Sequence, residues 1–199
     1  MRKQKLGISG LEVPIVCLGT MTWGEQVRVM GALIAEGKIR HWGLSNETSY
    51  GVSQMCEAAK RLGVPPPVSI QNDFAPVFRH FEEELAETCA PSAYNVGLRQ
   101  GAPPELRHNP PFQPRYFNPR TLAAAGEYGA LAKRCGLSPT TLALAWCASR
   151  WYMSSVIIGA TSQEQLKEDI EACQVVLDAS TLEEMDAIHL RHRNPNDLD

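Results

Sequence analysis

The sequence predicts an α/β protein built around a parallel sheet. Short apolar runs, rich in β-branched residues and ending in glycine or polar residues, indicate buried strands. Longer segments between them repeat their apolar residues at helical spacing. This alternation is typical of βαβ units, in which a helix connects two parallel strands. The strands are expected at residues 16–20, 41–46, 68–72, 93–98 and 156–158.

The composition favours one sizeable core and excludes several classes of protein. The 199 residues carry a net charge of −3 and are 44% hydrophobic, which argues against disorder and against a nucleic-acid partner. No apolar run approaches the ~20 residues that span a bilayer, so no membrane partner is expected. The basic residues 1–5 have no apolar signal region after them, which predicts a cytoplasmic protein.

No metal site is expected. The six cysteines are scattered without a Cys-x-x-Cys pair, which predicts reduced and mostly buried thiols. His189 and His192 lie three residues apart on the last predicted helix, a spacing at which both imidazoles could bind one metal ion. Because Arg191 and Arg193 stand beside them, a solvated helix face is the favoured interpretation.

The chain opens with a predicted β-hairpin. Alternating apolar residues flank a turn at Ser9 and Gly10, and the continuous apolar run 16–20 follows. A helix is expected to begin after Gln26 and to end at Gly37.

Helical spacing recurs through the middle of the chain. An apolar stripe from Val52 to Leu62 predicts a helix, and residues 81–89 and 121–135 predict two more. Ser138 and Pro139 have the pattern of an N-cap followed by proline at the first helical position. The proline-rich residues 100–119 are predicted to form an irregular surface loop. A polyproline ligand for an SH3- or WW-type module is the alternative.

The pattern of residues 156–169 predicts a strand, a tight glycine turn and a helix N-terminus. Thr161 and Glu164 have the spacing of a capping box, and Thr181 and Glu184 repeat it before the last helix. The free N–H groups of a helix N-terminus favour a phosphate. An ordinary capped helix after a strand explains the same pattern.

Polar residues recur where the predicted strands end, and ligands of parallel α/β folds bind at those carboxyl ends. The chain contains neither a Gly-x-Gly-x-x-Gly fingerprint nor a Walker loop, which argues against a Rossmann or P-loop nucleotide site. A Gly-x-Ser-x-Gly nucleophile elbow is likewise absent from the sequence. The strand-end residues are Ser45, Asn46, Gln71, Asn72, Asn95 and Thr161.

Six ordered motifs give the chain a family resemblance. They cover nearly the whole sequence except about residues 100–114, and they resemble the aldo-keto reductase family, most closely its Tas-like branch. The matching segments are residues 6–24, 37–46, 69–72, 94–98, 137–146 and 158–168. The resemblance implies a single (β/α)₈-barrel domain over residues 1–199 that binds NADP(H) without a Rossmann fold.

The resemblance also assigns the nicotinamide end of the cofactor site. Ser45, Asn46 and Gln71 stand where the family holds the nicotinamide carboxamide. The family normally brings an aromatic residue after the strand that ends at Leu98 to stack on the nicotinamide. Residues 99–103 contain no aromatic residue, so that contact is not expected here.

The adenosine and 2′-phosphate end is assigned to Gly159, Thr161, Gln165 and Glu168 in the same way. Asp169 stands where the family usually has asparagine. A carboxylate there accepts a hydrogen bond but donates none, and it repels phosphate. Any NADP binding is therefore expected to be weak or lost.

The matched sequence passes from the family's first strand directly to the helix before the strand at His41. A barrel of this type needs eight strands in about 250 residues, and about five are expected here. The family segment expected between residues 26 and 27 is missing, and in the family it carries the catalytic Asp, Tyr, Lys and His. Lys38, His41 and Tyr50 have the right residue types but lie in other matched segments, so no catalytic residue is assigned.

Three hypotheses about function follow. The first is an NADP(H)-dependent reductase of aldehydes or ketones, impaired because the tetrad is absent. The second is a non-catalytic nucleotide- or partner-binding protein, and the third is a splice or gene-model product without a stable fold. A small carbonyl compound is the expected substrate if the chain is active. Open strand edges predict an oligomer or an aggregate.

Overall fold

A computed structural model describes residues 3–5, 12–14, 23–90, 93–94, 97–101 and 116–197. The strand expected at residues 16–20, the hairpin turn and most of the proline-rich segment lie outside the described residues. None of the described helices is long and apolar enough to cross a membrane.

The main sheet confirms the α/β class with parallel strands. It contains β3 (Gly43–Ser45), β4 (Ser69–Asn72), β5 (Gly97–Gly101) and β6 (Met153–Ile157), which neighbour one another in sequence order. Each strand runs parallel to the next, because a helical crossover separates every pair.

A separate antiparallel pair forms at the start of the chain. It joins β1 (Lys3–Lys5) to β2 (Glu12–Pro14), with Gln4 opposite Val13. The antiparallel pairing agrees with the predicted hairpin, whose turn lies outside the described residues.

Seven α-helices lie in the described part of the chain, and residues His80–Glu82 add one turn of 3₁₀ helix. The α-helices are α1 (Trp23–Ala35), α2 (Ser49–Leu62), α3 (Leu85–Cys89), α4 (Pro119–Arg134), α5 (Pro139–Ala148), α6 (Gln163–Ala172) and α7 (Ala179–Arg191).

The capping side chains explain where most of these helices begin. In each of five helices the N-cap side chain accepts a hydrogen bond from the backbone N–H three residues later, which satisfies one of the free donors of the first turn. The five N-caps are Thr48, Asn118, Ser138, Ser162 and Asp178. Gly63 ends α2 with φ of 64°, a left-handed conformation that glycine adopts without strain.

The N-cap residue was predicted wrongly for two helices, α6 and α7. The N-cap of α6 is Ser162 rather than Thr161, because the extended backbone at Ser162 lets its Oγ accept from the Gln165 N–H at 3.2 Å. The N-cap of α7 is Asp178 rather than Thr181. The Asp178 carboxylate accepts from the Thr181 N–H at 2.7 Å and suits the positive end of the helix dipole.

Several element boundaries also differ from the predictions. β6 begins at Met153, three residues before the strand expected at 156–158. α1 begins at Trp23, so one continuous helix runs through the junction between Gln26 and Val27. β5 begins at Gly97, and Ala93 and Tyr94 lie in a turn, because its place is set by pairing with β4 and β6. The helix expected at residues 81–89 divides into the 3₁₀ turn and α3.

Aromatic packing organises the main core. Phe74 stacks on Trp146 with ring centroids 5.1 Å apart, and Tyr152 meets Phe74 edge-on at 5.6 Å. Ile70 of β4 and Met185 of α7 are fully buried in the same cluster. A smaller cluster joins α1 and α2 through residues that include Val27, Trp42 and Met55.

The sheet exposes part of one face. On β3 and β4 the side chains alternate, so that Ile70 is buried while Ser45 and Gln71 are exposed. Parallel sheets are normally covered on both faces. The predicted oligomerisation or aggregation stays a prediction.

The five cysteines of the described ranges are free thiols. Cys56, Cys89 and Cys147 are buried, whereas Cys135 is exposed and Cys173 is half-buried. Burial raises the pKa of Cys56 and Cys89 to about 11 each. Neither thiol is therefore a ready nucleophile or metal ligand at neutral pH.

Candidate functional site

The carboxyl ends of β3 and β4 meet through Asn46. Its backbone N–H donates to the carbonyl oxygen of Gln71 and to Oδ1 of Asn72, both at 3.1 Å. Asn46 has φ of 55°, a left-handed conformation that asparagine tolerates better than most residues. The strand-end residues of β3 and β4 that were singled out in the sequence therefore lie together at this edge, whereas Thr161 follows β6 and Asn95 lies outside the described residues.

The nicotinamide-end candidates form one exposed polar patch. Ser45 is in register with Gln71, so their side chains share a face of the sheet. The Asn46 amide donates to the Ser45 hydroxyl at 3.3 Å. The patch offers amide and hydroxyl groups that both donate and accept hydrogen bonds, which is the chemistry that recognises a carboxamide.

The turn between β6 and α6 holds the adenosine-end candidates Gly159 and Thr161, and Gln165 follows in the first turn of α6. The backbone N–H and the hydroxyl of Thr161 both donate to the Gln165 side-chain oxygen at 2.9 Å. Residues 161–167 are exposed, so the first turn of α6 faces solvent. An exposed helix N-terminus of this kind is electrostatically suited to an anion.

Glu168 and Asp169 are less accessible than the turn. The half-buried Glu168 carboxylate accepts a 2.5 Å hydrogen bond from the Ser138 hydroxyl. Asp169 is only 2% exposed, and its Oδ2 has no hydrogen-bond partner among the described residues. The Asp169 carboxylate is therefore buried, whereas Thr161 and Gln165 are exposed.

The two groups of candidates lie at the same end of the sheet but not on neighbouring strands. β5 separates β4 from β6, with Arg99 opposite Gln71 on one side and Ser155 on the other. A ligand that touched both groups would have to cross the end of β5.

An acidic cavity of about 360 Å³ opens beside Asn46 and Asn72. Sequence reasoning did not predict it, because its walls come from segments up to 40 residues apart in the chain. Four carboxyl groups line it, which disfavours an anionic occupant. They belong to Glu47, Asp73, Glu83 and Glu84.

His80 lines the same cavity and ties it to the C-terminal segment. Its Nε2 lies 2.7 Å from Asp197 and its Nδ1 lies 3.3 Å from Glu83. Burial disfavours protonation, but the hydrogen bonds and charges of these two carboxylates outweigh it and raise the pKa of His80.

The solvated face predicted for the last helix is only partly correct. His192 lies 2.6 Å from Glu127, whereas Nδ1 of His189 is buried without a partner in the described part of the chain. Burial, with Arg79 and Arg193 nearby, lowers the pKa of His189 to about 4.

A profile of the family described as "Aldo/keto reductase family" matches residues 19–190. The chain belongs to the aldo-keto reductase family. This confirms the resemblance that the six sequence motifs carry. The match begins before α1 and ends within α7, so it includes all four strands of the main sheet.

The curated relatives that the chain matches are longer than the chain itself. "Protein tas" of Escherichia coli (strain K12) is 34% identical over 208 aligned positions, covering 92% of this chain and 60% of the relative. An "Aldo-keto reductase" of Babesia bovis is 28% identical over 194 positions, covering 86% and 68%. The chain thus spans about 60% of the length of the Tas protein.

A third relative is named "Probable voltage-gated potassium channel subunit beta" and comes from Oryza sativa subsp. japonica. It is 28% identical over 173 positions, covering 76% of this chain and 52% of the relative.

Proposed function

We propose that this aldo-keto reductase is an incomplete barrel with about five of the family's eight strands, which binds NADP(H) weakly and reduces aldehydes and ketones at no more than a background rate. The continuous helix α1 carries this proposal. It runs from Trp23 to Ala35 through the Gln26–Val27 junction, where the family segment with the catalytic residues would stand. The family's catalytic Tyr and Lys lie at the ends of strands, and this place is occupied by a helix instead.

The adenosine end of the cofactor is the part best supported. Gly159, Thr161 and Gln165 belong to one strand–turn–helix unit whose hydrogen bonds are local, so it needs no distant strand to form. Its exposed helix N-terminus suits the 2′-phosphate. Glu168 and Asp169 weaken the site, because one is held by Ser138 and the other brings a buried negative charge close to it.

The nicotinamide end is expected to contribute less. Ser45, Asn46 and Gln71 are close together but exposed, and water competes for exposed hydrogen bonds. The acidic cavity beside Asn46 also repels the cofactor phosphates. NADP(H) is accordingly expected to be anchored by its adenosine half.

A binding role without catalysis is the second candidate. One relative is named as a potassium channel subunit, and Ser45 and Gln71 lie on a sheet face that is open to solvent. A partner protein that covers this face would give it the burial that parallel strands normally have.

The third candidate is a splice or gene-model product without a stable fold. A non-cooperative unfolding curve of the purified chain would support it.

A fluorescence and calorimetric titration tests the proposed cofactor binding. NADPH and 2′-phospho-ADP-ribose, which lacks the nicotinamide, should bind this chain with affinities within about fivefold of each other, since one net hydrogen bond is worth about 1 kcal/mol. Gln165→Ala should weaken both ligands, whereas Gln71→Ala should weaken neither strongly. Nanomolar NADPH binding that depends on Gln71 would contradict the proposal.

A further inference from the structure

A partly enclosed cavity of about 250 Å³ lies between α1, β3 and α2. It shares only Glu47 with the acidic cavity at the strand ends, and its lining is mostly apolar. The apolar side chains that line it are Val29, Met30, Trp42, Leu44 and Met55.

Gln26 is the polar residue that distinguishes this cavity. It lines the wall and is only 4% exposed, and its Nε2 has no hydrogen-bond partner among the described residues. Buried amide groups in folded proteins nearly always have a partner. The cavity therefore contains an amide donor that nothing in the described chain satisfies.

Water alone is a poor occupant for this cavity. A buried water needs two to four polar partners, and each water takes up about 30 Å³ of liquid volume. A cavity of this size would hold several waters, but Gln26, Ser45 and Glu47 are its only polar side chains among the described residues. The apolar lining favours an occupant that is mainly apolar and presents one acceptor to Gln26.

We propose that this cavity is a binding site for a small, neutral amide with an apolar body. Its carbonyl oxygen accepts a hydrogen bond from Nε2 of Gln26, and its body packs against Met30, Trp42 and Met55. The Glu47 carboxylate in the wall disfavours an anion and suits the N–H side of an amide. A ligand of about ten non-hydrogen atoms suits the cavity, whose volume of about 250 Å³ lies just below the usual range of ~300–1,000 Å³ for ligand pockets.

This cavity does not depend on whether the chain binds NADP(H). It is assembled by Gln26 and Val29 on α1, the helix that continues through the junction, and by β3, which forms one edge of the main sheet in the described part of the chain. Only Ser45 belongs to both sites.

Benzamide and toluene are suitable probes, since they share a ring and only benzamide has the amide. Ligand-observed NMR titration of the full chain should show saturable benzamide binding. Gln26→Leu should weaken benzamide about five- to tenfold, because it removes one hydrogen bond, and should leave toluene equal or tighter. Gln26→Met keeps the side-chain length and provides the same test if the leucine variant does not fold.

Gln174→Leu is the matched control, because Gln174 is exposed and lies outside this cavity. It should leave the affinities for both probes unchanged. The proposal is overturned if the folded wild-type chain shows no saturable benzamide binding. Equal benzamide affinity in the wild type and a folded Gln26 variant would overturn it as well.

Discussion

The hydroxyl of Ser138 donates a 2.5 Å hydrogen bond to the carboxylate of Glu168, and so joins the N-cap of α5 to α6. The same oxygen accepts from the Thr141 N–H at 3.0 Å. One hydroxyl thus caps a helix and positions a residue assigned to the cofactor site. The contact spans 30 residues of sequence and depends on the packing of α5 against α6.

Ser138→Ala should destabilise the chain by about 1–2 kcal/mol, because it removes a helix cap and also leaves the half-buried Glu168 carboxylate without this donor. Urea denaturation measures the change. Ser162→Ala is the control, since Ser162 also caps a helix but is exposed. Equal losses in the two variants would mean that the bond to Glu168 adds nothing.

Arg79→Met should cost about 2 kcal/mol, because it removes the stacking of a buried guanidinium on Trp146 and its hydrogen bond to the half-exposed Asp186. The Arg79 side chain is 4% exposed, lies 2.6 Å from Asp186 and stacks on Trp146 at 4.2 Å. Thermal and urea unfolding measure the loss. Arg134→Met removes a surface ion pair with Glu184 and should cost less than about 1 kcal/mol. A small effect at Arg79 would contradict its role in the core.

Asp169→Asn should stabilise the chain by about 1 kcal/mol, because a neutral amide costs less to bury than a carboxylate with an unpartnered oxygen. It should also tighten NADPH binding by removing a negative charge near the phosphate end. Asp178→Asn is the control, since asparagine and aspartate are similar N-caps and the site is exposed. Destabilisation by Asp169→Asn would show that the carboxylate has a compensating partner.

His189 should make stability rise with pH. Its pKa in the folded chain is lowered to about 4 from the usual 6.5, mainly by burial, so between these values the unfolded chain binds more protons. Stability is then lost as the pH falls from 6.5 to 4. His189→Gln should flatten this part of the curve by about 1 kcal/mol, a figure reduced for solvent screening of a half-exposed group.

His80 should act in the opposite direction. Although burial opposes protonation, Asp197 and Glu83 raise its pKa above the usual 6.5. Its stabilising effect is complete below pH 6.5 and is lost as the pH rises through the raised pKa. Urea denaturation at a series of pH values should show that His80→Gln removes this decline. A change of the same sign in the His80 and His189 variants would contradict the two assignments.

Local patterns predicted the helices and the strand-end contacts well. The stripe at Val52, Met55 and Ala59 is buried as its spacing requires. Asn46 lies beside Gln71 and Asn72, since parallel strands end at one edge. The start of β5 was predicted wrongly, because pairing with its neighbours fixes it. No sequence signal marks the hydrogen bond between Ser138 and Glu168, or the Gln26 amide that has no partner among the described residues.

The N-cap of α6 was predicted wrongly for a different reason. Thr161 and Ser162 are adjacent and both can cap a helix, so spacing alone does not choose between them. In the folded chain the Ser162 hydroxyl caps α6, and the Thr161 hydroxyl donates to the Gln165 side chain instead. The family resemblance assigned the candidate site residues by position, and the exposure of each became evident only in the folded chain.

NADPH oxidation by the purified chain with a panel of aldehydes tests the central claim most directly. The loss of 340 nm absorbance is followed at a cofactor concentration at which the fluorescence titration shows NADPH to be bound. The absence of a general acid costs ~10²–10⁴-fold, and a misplaced hydride donor about 10²-fold more. We predict a rate equal to the blank without protein. Turnover of roughly 1 s⁻¹ or more, the range of ordinary enzymes, would contradict the account.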